Sequence, residues 1–221
     1  MGTVYEGKLE GNTTFPYIHT DASQAVNYLK VYMTSLGVDL MTLDGSKIYG
    51  PKGVGVLVVK PNVELHQIVF GGGQEKGLRS GTENPSFIVG FTKAFEIADR
   101  DRESESKRLS LIKNKFIDGI RKSLPEAIIN TPTEDSLPNI VSVSVPGILS
   151  EFVAIKLDRD GFMVSTGSAC GTNKSDSGTE ALVALGRPEL KESTIRFSFG
   201  RSTKTSDVER ALRAFIKIMQ G

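Results

Sequence analysis

Apolar positions in this chain switch between a period of two and a period near 3.6. Phe15-Pro16-Tyr17-Ile18-His19-Thr20-Asp21 reads as a short strand, and Pro16 favours an edge or a strand start. Ala22 to Met33 takes helical spacing, with Ala25, Val26, Leu29 and Met33 on one face. Val38 to Leu43 is again a strand. This order predicts a parallel strand–helix–strand unit with a right-handed crossover. Such a unit puts Asp21 and the turn 44–47 at the C-terminal ends of two parallel strands, the edge where open α/β sheets bind ligands. Asp21 and Lys47 are therefore expected to be neighbours. Gly55 to Lys60, ended by Pro61, and Leu65 to Phe70 predict two more strands. Residues 1–14 are polar and glycine-rich and read as a loop, with no strand before residue 15.

From Pro85 the pattern is helical for nearly forty residues. Phe87, Phe91, Phe95 and Ala98 form one stripe, and Leu109, Ile112, Phe116 and Ile120 another. The stretch Asp99 to Arg108 between them is dominated by charged residues and serine. This predicts one long helix, or two end to end, with a solvated middle. Beyond Pro125, Asn139 to Val145 and Thr194 to Gly200 alternate as strands, and Phe162 to Ser165 is a short one. Leu149 to Leu157 and Glu180 to Leu185 read as helices. Val208, Leu212, Phe215, Ile216 and Met219 make the apolar stripe of a closing helix. The organisation expected is an α/β chain with a parallel-rich first domain over 1–90. A long helix and a smaller α/β domain follow over 91–221.

Composition narrows the function classes. The 27 basic and 26 acidic residues nearly cancel, which argues against a nucleic-acid or membrane-surface protein. A single cysteine permits no intramolecular disulfide. The two histidines, His19 and His66, have no zinc-ligand spacing with it. No apolar run reaches the roughly 20 residues of a membrane-spanning helix, and no signal-peptide pattern opens the chain. The expectation is a cytoplasmic protein.

Four residues stand out chemically. Lys47 follows Gly45-Ser46 between two apolar strands. A phosphate-binding P-loop needs an earlier glycine and a following helix, and both are missing. A Schiff-base lysine, partly neutral and desolvated, is the remaining reading. Asp21 supplies the carboxylate that a pyridoxal phosphate enzyme needs on its pyridine nitrogen, and it is equally placed to cap the segment after it. Cys170 lies in the polar turn Thr166-Gly167-Ser168-Ala169-Cys170-Gly171-Thr172, which suits a nucleophile better than a core thiol. Arg196 sits on an alternating strand, and a buried arginine pairs with a carboxylate of protein or ligand. The glycine-dense loop from Gly71 to Asn84 is too specific in composition for a linker.

Taken together, these segments resemble the cysteine desulfurases, pyridoxal phosphate enzymes of the class V aminotransferase group with a type I aminotransferase-like fold. The resemblance rests on His19-Thr20-Asp21-Ala22-Ser23-Gln24-Ala25, Lys47-Ile48-Tyr49-Gly50-Pro51-Lys52-Gly53, Gly71-Gly72-Gly73-Gln74-Glu75, Arg79-Ser80-Gly81-Thr82-Glu83-Asn84, Ser165-Thr166-Gly167-Ser168-Ala169-Cys170 and Ile195-Arg196-Phe197-Ser198-Phe199-Gly200-Arg201. It implies that Lys47 holds pyridoxal 5'-phosphate as a Schiff base, with Asp21 on the ring nitrogen and Gln24 on the phenolic oxygen. Thr82 would reach the phosphate of a neighbouring subunit, making a homodimer functional. Arg196 would bind the carboxylate of L-cysteine, and Cys170 would take its sulfur as a persulfide. The sulfur would pass to an iron–sulfur scaffold, or to an acceptor protein for tRNA thiolation.

Two positions depart from the family pattern. Ser46 stands where the family commonly has a histidine, and Asp44 where it commonly has a serine that contacts the phosphate; Ser46 is a candidate to take over that hydroxyl role. Met1-Gly2-Thr3-Val4 resembles the end of a family segment whose earlier part carries other cofactor contacts. The expectation is a truncated chain with exposed sheet edges and apolar faces. The alternatives are a selenocysteine lyase or cysteine sulfinate desulfinase, or an inactive fragment acting as a binding partner.

Overall fold

The computed structural model describes residues 3–8, 14–166 and 180–221. The chain divides into two compact units, Met1–Ser104 and Glu105–Gly221. Among the described residues, no helix is long and apolar enough to cross a membrane.

The first unit is built on a four-stranded mixed sheet in the order β1-β2-β3-β4. The strands are β1 (Thr3–Lys8), β2 (Thr14–Asp21), β3 (Leu40–Asp44) and β4 (Gly55–Val59). β2 and β3 run parallel, with Asp21 beside Thr42, as the strand–crossover–strand pattern predicts. β4 returns antiparallel to β3, and β1 antiparallel to β2. β1 corrects the reading of residues 1–14 as a loop: Thr3, Val4 and Tyr5 favour extended backbone, and β2 supplies their ladder partner.

The crossover is a second correction. Ala22 to Leu29 is a run of turns, and the only helix there is the short α1 (Met33–Leu36). Val26, Asn27, Tyr28, Val31 and Tyr32 are all poor helix formers, so spacing alone does not carry a helix here. Ala22 and Val26 are nonetheless buried, while Leu29 is exposed. A third correction concerns Leu65 to Phe70. It forms no strand, only an isolated bridge between Val69 and Arg79. Ile68 and Phe70 are exposed, so no buried face rewards pairing.

One face of this sheet carries Met41 and Leu43, packed with Ala22, Val26, Val38 and Ile48 against Phe91, Ala94 and Ala98. The last three lie on α2 (Pro85–Ser123), a single helix of 39 residues. Asn84 starts it, its side-chain oxygen accepting from the Phe87 N–H at 3.2 Å.

The second unit carries an antiparallel sheet in the order β5-β6-β8-β7. These strands are β5 (Ile128–Ile129), β6 (Ile140–Ser144), β7 (Ser165–Thr166) and β8 (Thr194–Ser198). The strand expected over Phe162 to Ser165 thus begins only at Ser165. Helices α3 (Ser150–Arg159), α4 (Glu180–Ala184) and α5 (Thr205–Gln220) complete the unit. Strand alternation sends Val141, Val143, Ile195 and Phe197 to the buried face. Phe116 of α2 packs on Phe197 at 4.7 Å and Phe199 at 5.5 Å, and Phe197 meets Phe215 of α5 at 5.2 Å. Arg108 ties α2 to the turn before α5 by donating to the carbonyls of Thr203 and Gly200.

Candidate active site

The parallel pair β2–β3 ends in a set of polar groups. Asp21 closes β2 and accepts a 3.0 Å hydrogen bond from the Ser23 N–H. Ser23, through its hydroxyl and its main-chain N–H, holds the Asp21 carboxyl below the usual carboxylate range. His19 and Lys47 lower it further by charge, and burial opposes them more weakly than Ser23 acts. His19 lies two residues earlier on the same face of β2, and its Nε2 is 2.8 Å from Thr42 Oγ1 on β3. Asp21 is thus held ionised within the electrostatic reach of Lys47, the neighbourhood expected from the sequence.

Lys47 sits in a four-residue 3-10 turn, Gly45–Ile48, directly after β3. The turn is fixed at every end. Asp44 Oδ1 accepts from the Ser46 N–H at 2.8 Å, so its carboxylate is engaged with the turn. The Gly45 N–H donates to Val54 O at 2.9 Å, and the Gly50 N–H donates to Gly45 O at 2.9 Å. A Cβ on Gly45 would stand 2.9 Å from Pro51 O and 3.0 Å from Val54 O, so only glycine fits there. Buried Ile48 anchors the turn to the core, while Ser46 and Lys47 point to the exposed side. The desolvation expected for a reactive lysine is therefore not found at Lys47, which is exposed in this structure. Gln24 and Thr82 are exposed as well.

The glycine-dense stretch closes on itself. Ser80 Oγ donates to Gly72 O at 2.7 Å, and the Gly81 N–H donates to Gln74 Oε1 at 3.2 Å. Thr82 follows at its exit, just before α2.

Arg196 belongs to the second unit. It lies on β8 between Ser142 of β6 and Ser165 of β7, on the face opposite Phe197. The same face carries Ser144, Thr194 and Asn130, whose Nδ2 donates to Ser144 Oγ at 2.7 Å. The Arg196 Nε is buried and has no partner among the described residues. A guanidinium with an unused donor on a polar face suits an anionic group. Cys170 lies outside the described residues.

Asn27 is a contact the sequence reading missed. Its side chain donates to the main-chain carbonyl of Lys47 at 2.7 Å. The signal was a lone amide inside the apolar stretch Ala25-Val26-Asn27-Tyr28-Leu29, where a buried polar group needs a specific partner.

Comparison with known proteins agrees with this architecture. Residues 16–211 match the family described as Aminotransferase class-V. The cysteine desulfurase IscS of Clostridium botulinum is 37% identical over 207 residues, covering 92% of this chain and 52% of that protein. The cysteine desulfurase IscS of Klebsiella pneumoniae is 41% identical over 197 residues, with 88% and 48% covered. Among solved structures, a NifS-like protein superposes with a TM-score of 0.82 at 32% identity over 92% of this chain. The NifS-like protein from Rickettsia africae superposes at 0.81 with 27% identity. The chain spans about half the length of the curated relatives it matches. The expected α/β, type I aminotransferase-like fold is borne out by these neighbours. With a family match over most of its length and a matching fold, the chain belongs to the class-V aminotransferases.

Proposed function

We propose that this chain carries the lysine-bearing part of a pyridoxal 5'-phosphate-dependent cysteine desulfurase that converts L-cysteine to L-alanine. Pyridoxal 5'-phosphate is the cofactor of the class-V aminotransferase family. The residues present fit it: an ionised carboxylate, an amine within its field and the Ser46 hydroxyl gather at the end of one parallel strand pair. The observation that carries the reading is Asp21, held as a carboxylate by Ser23 within the influence of Lys47. When bound, the cofactor supplies an electron sink that acidifies the substrate Cα–H and weakens the C–S bond. Lys47 anchors it through its amine and moves a proton at the substrate carbon. Asp21 stabilises the protonated ring nitrogen. Gln24 contacts the phenolic oxygen, and Ser46 the phosphate. Arg196 binds the substrate carboxylate.

The balance is simple. Cys170 as thiolate attacks the substrate sulfur, the C–S bond breaks, and the carbon gains a proton. Cysteine plus the Cys170 thiol becomes alanine plus a Cys170 persulfide. Class-level support comes from relatives named cysteine desulfurase. Thr82 reaches the phosphate in the partner of a homodimer. The persulfide passes, in the cytoplasm, to an iron–sulfur scaffold or to an acceptor for tRNA thiolation.

The test is to give the chain pyridoxal phosphate and L-cysteine and to measure alanine and the mass of the Cys170 peptide. Expected are alanine release and a persulfide, both lost in Lys47→Ala. Cys170→Ser should keep cofactor attachment and lose the persulfide. A chain that attaches the cofactor at Lys47 yet forms no persulfide would contradict desulfuration. Selenocysteine and cysteine sulfinate as parallel substrates would then identify the other sulfur- or selenium-releasing chemistry.

A further inference from the structure

The cofactor reading explains Asp21 and Lys47 but leaves Asn27 without a purpose. Asn27 is 5% exposed, between buried Val26 and Tyr28. Burying a carboxamide costs free energy unless its groups are paired. Here one bond is made, from Nδ2 to the carbonyl of Lys47 at 2.7 Å, while Oδ1 is buried with no partner among the described residues. An apolar side chain of similar volume would satisfy the core better, because it would leave no orphaned oxygen. The amide is therefore badly suited to packing alone, and its single bond falls on the main chain of the lysine itself.

The neighbouring contacts sharpen this. Asp44, Val54 and Gly50 fix the entry and exit of the 3-10 turn. None of those bonds involves residue 47. Asn27 also comes from the same run of turns as Ser23, which orients Asp21. One short segment thus holds both chemical groups: Ser23 sets the carboxylate, and Asn27 sets the lysine.

We propose that Asn27 is a positioning residue for Lys47, fixing the lysine's main chain so that its amine leaves the turn toward Asp21. The proposal rests on Lys47 being the cofactor lysine, and its test separates the two. Asn27→Leu keeps the branched shape and removes the donor, and Asn27→Ala removes both. Each is compared with the unaltered chain by two measurements. The first is hydrogen exchange of the amides of residues 46–50. The second is capture of Lys47 by pyridoxal phosphate with borohydride reduction, followed by mass spectrometry across a pH series, with exposed Lys93 as internal reference.

Both variants should melt as cooperatively as the parent and exchange the 46–50 amides faster. Both should also capture cofactor at Lys47 roughly fivefold more slowly, the scale of one lost hydrogen bond. Capture at Lys93 should not change. Unaltered exchange, or unaltered Lys47 capture in a parent that prefers Lys47, would overturn the proposal. Unfolding of both variants would overturn it too, by assigning Asn27 to the fold at large. A parent with no preference for Lys47 would overturn the cofactor reading instead, and the positioning claim would then be decided by the exchange data alone.

Discussion

At the scale of single residues, the structure shows how little freedom surrounds Lys47. Gly45 has carbonyl oxygens at 2.9 Å and 3.0 Å from where a Cβ would be. Gly45→Ala should therefore displace the turn and cost about 1–3 kcal/mol in urea unfolding, with loss of cofactor capture at Lys47. Asp21 gives a pH signature. Its folded carboxyl titrates below its ordinary value, so its contribution to stability is complete above about pH 4 and is lost as pH falls through the lower folded value. Unfolding followed from pH 7 to pH 3 should show the parent losing its advantage over Asp21→Asn only at the acid end; an advantage that grows toward acid pH would reverse the sign. Lys47 and Asp21 were legible in the sequence because their chemistry is unusual at strand ends. Asn27 was not, because an amide on a buried face gives no clue to which distant main-chain group it bonds.

At the scale of elements, the strands β2, β3, β4, β6 and β8 and the helices α2, α3 and α5 follow directly from periodicity. Each miss has its own physical cause. The crossover after β2 has helical spacing but helix-poor residues, and Leu65 to Phe70 has strand-like residues but no face to bury. β1 depends on its partner β2 for its ladder. The second unit's core is dominated by aromatic contacts around Phe116, itself fully buried. Phe116→Ala should cost about 3–5 kcal/mol of stability by denaturant unfolding, with little direct effect on the Lys47 turn.

Lys113 of α2 gives a second pH signature, of the same sign but at the alkaline end. It is buried, with its ammonium on Ser136 Oγ at 2.5 Å and Leu137 O at 3.4 Å, and burial lowers it from its ordinary value of 10.5. Between the lowered folded value and 10.5 the unfolded chain holds more protons, so this group's contribution rises with pH. The parent should therefore gain on Lys113→Met as the solution is made alkaline, and a parent that loses ground would contradict the assignment.

At the scale of the whole molecule, the two units are each compact, and the chain covers about half of its relatives' length. Several large apolar side chains are exposed among the described residues, including Ile68, Phe70, Val89 and Leu111. For the proposed homodimer, light scattering should give a mass near twice 23.9 kDa that falls on dilution, whereas a strict monomer at all concentrations would remove Thr82 from the partner's site. Lys47, in the turn after β3 and within the electrostatic influence of Asp21, is expected to be the lysine that takes the cofactor. The most direct test is to reduce the complex of chain and pyridoxal phosphate with borohydride and to map the modified lysines by mass spectrometry. Modification is expected at Lys47 ahead of every other lysine, weakened in Asp21→Asn; modification spread over exposed lysines such as Lys93, with no preference for Lys47, would contradict this assignment.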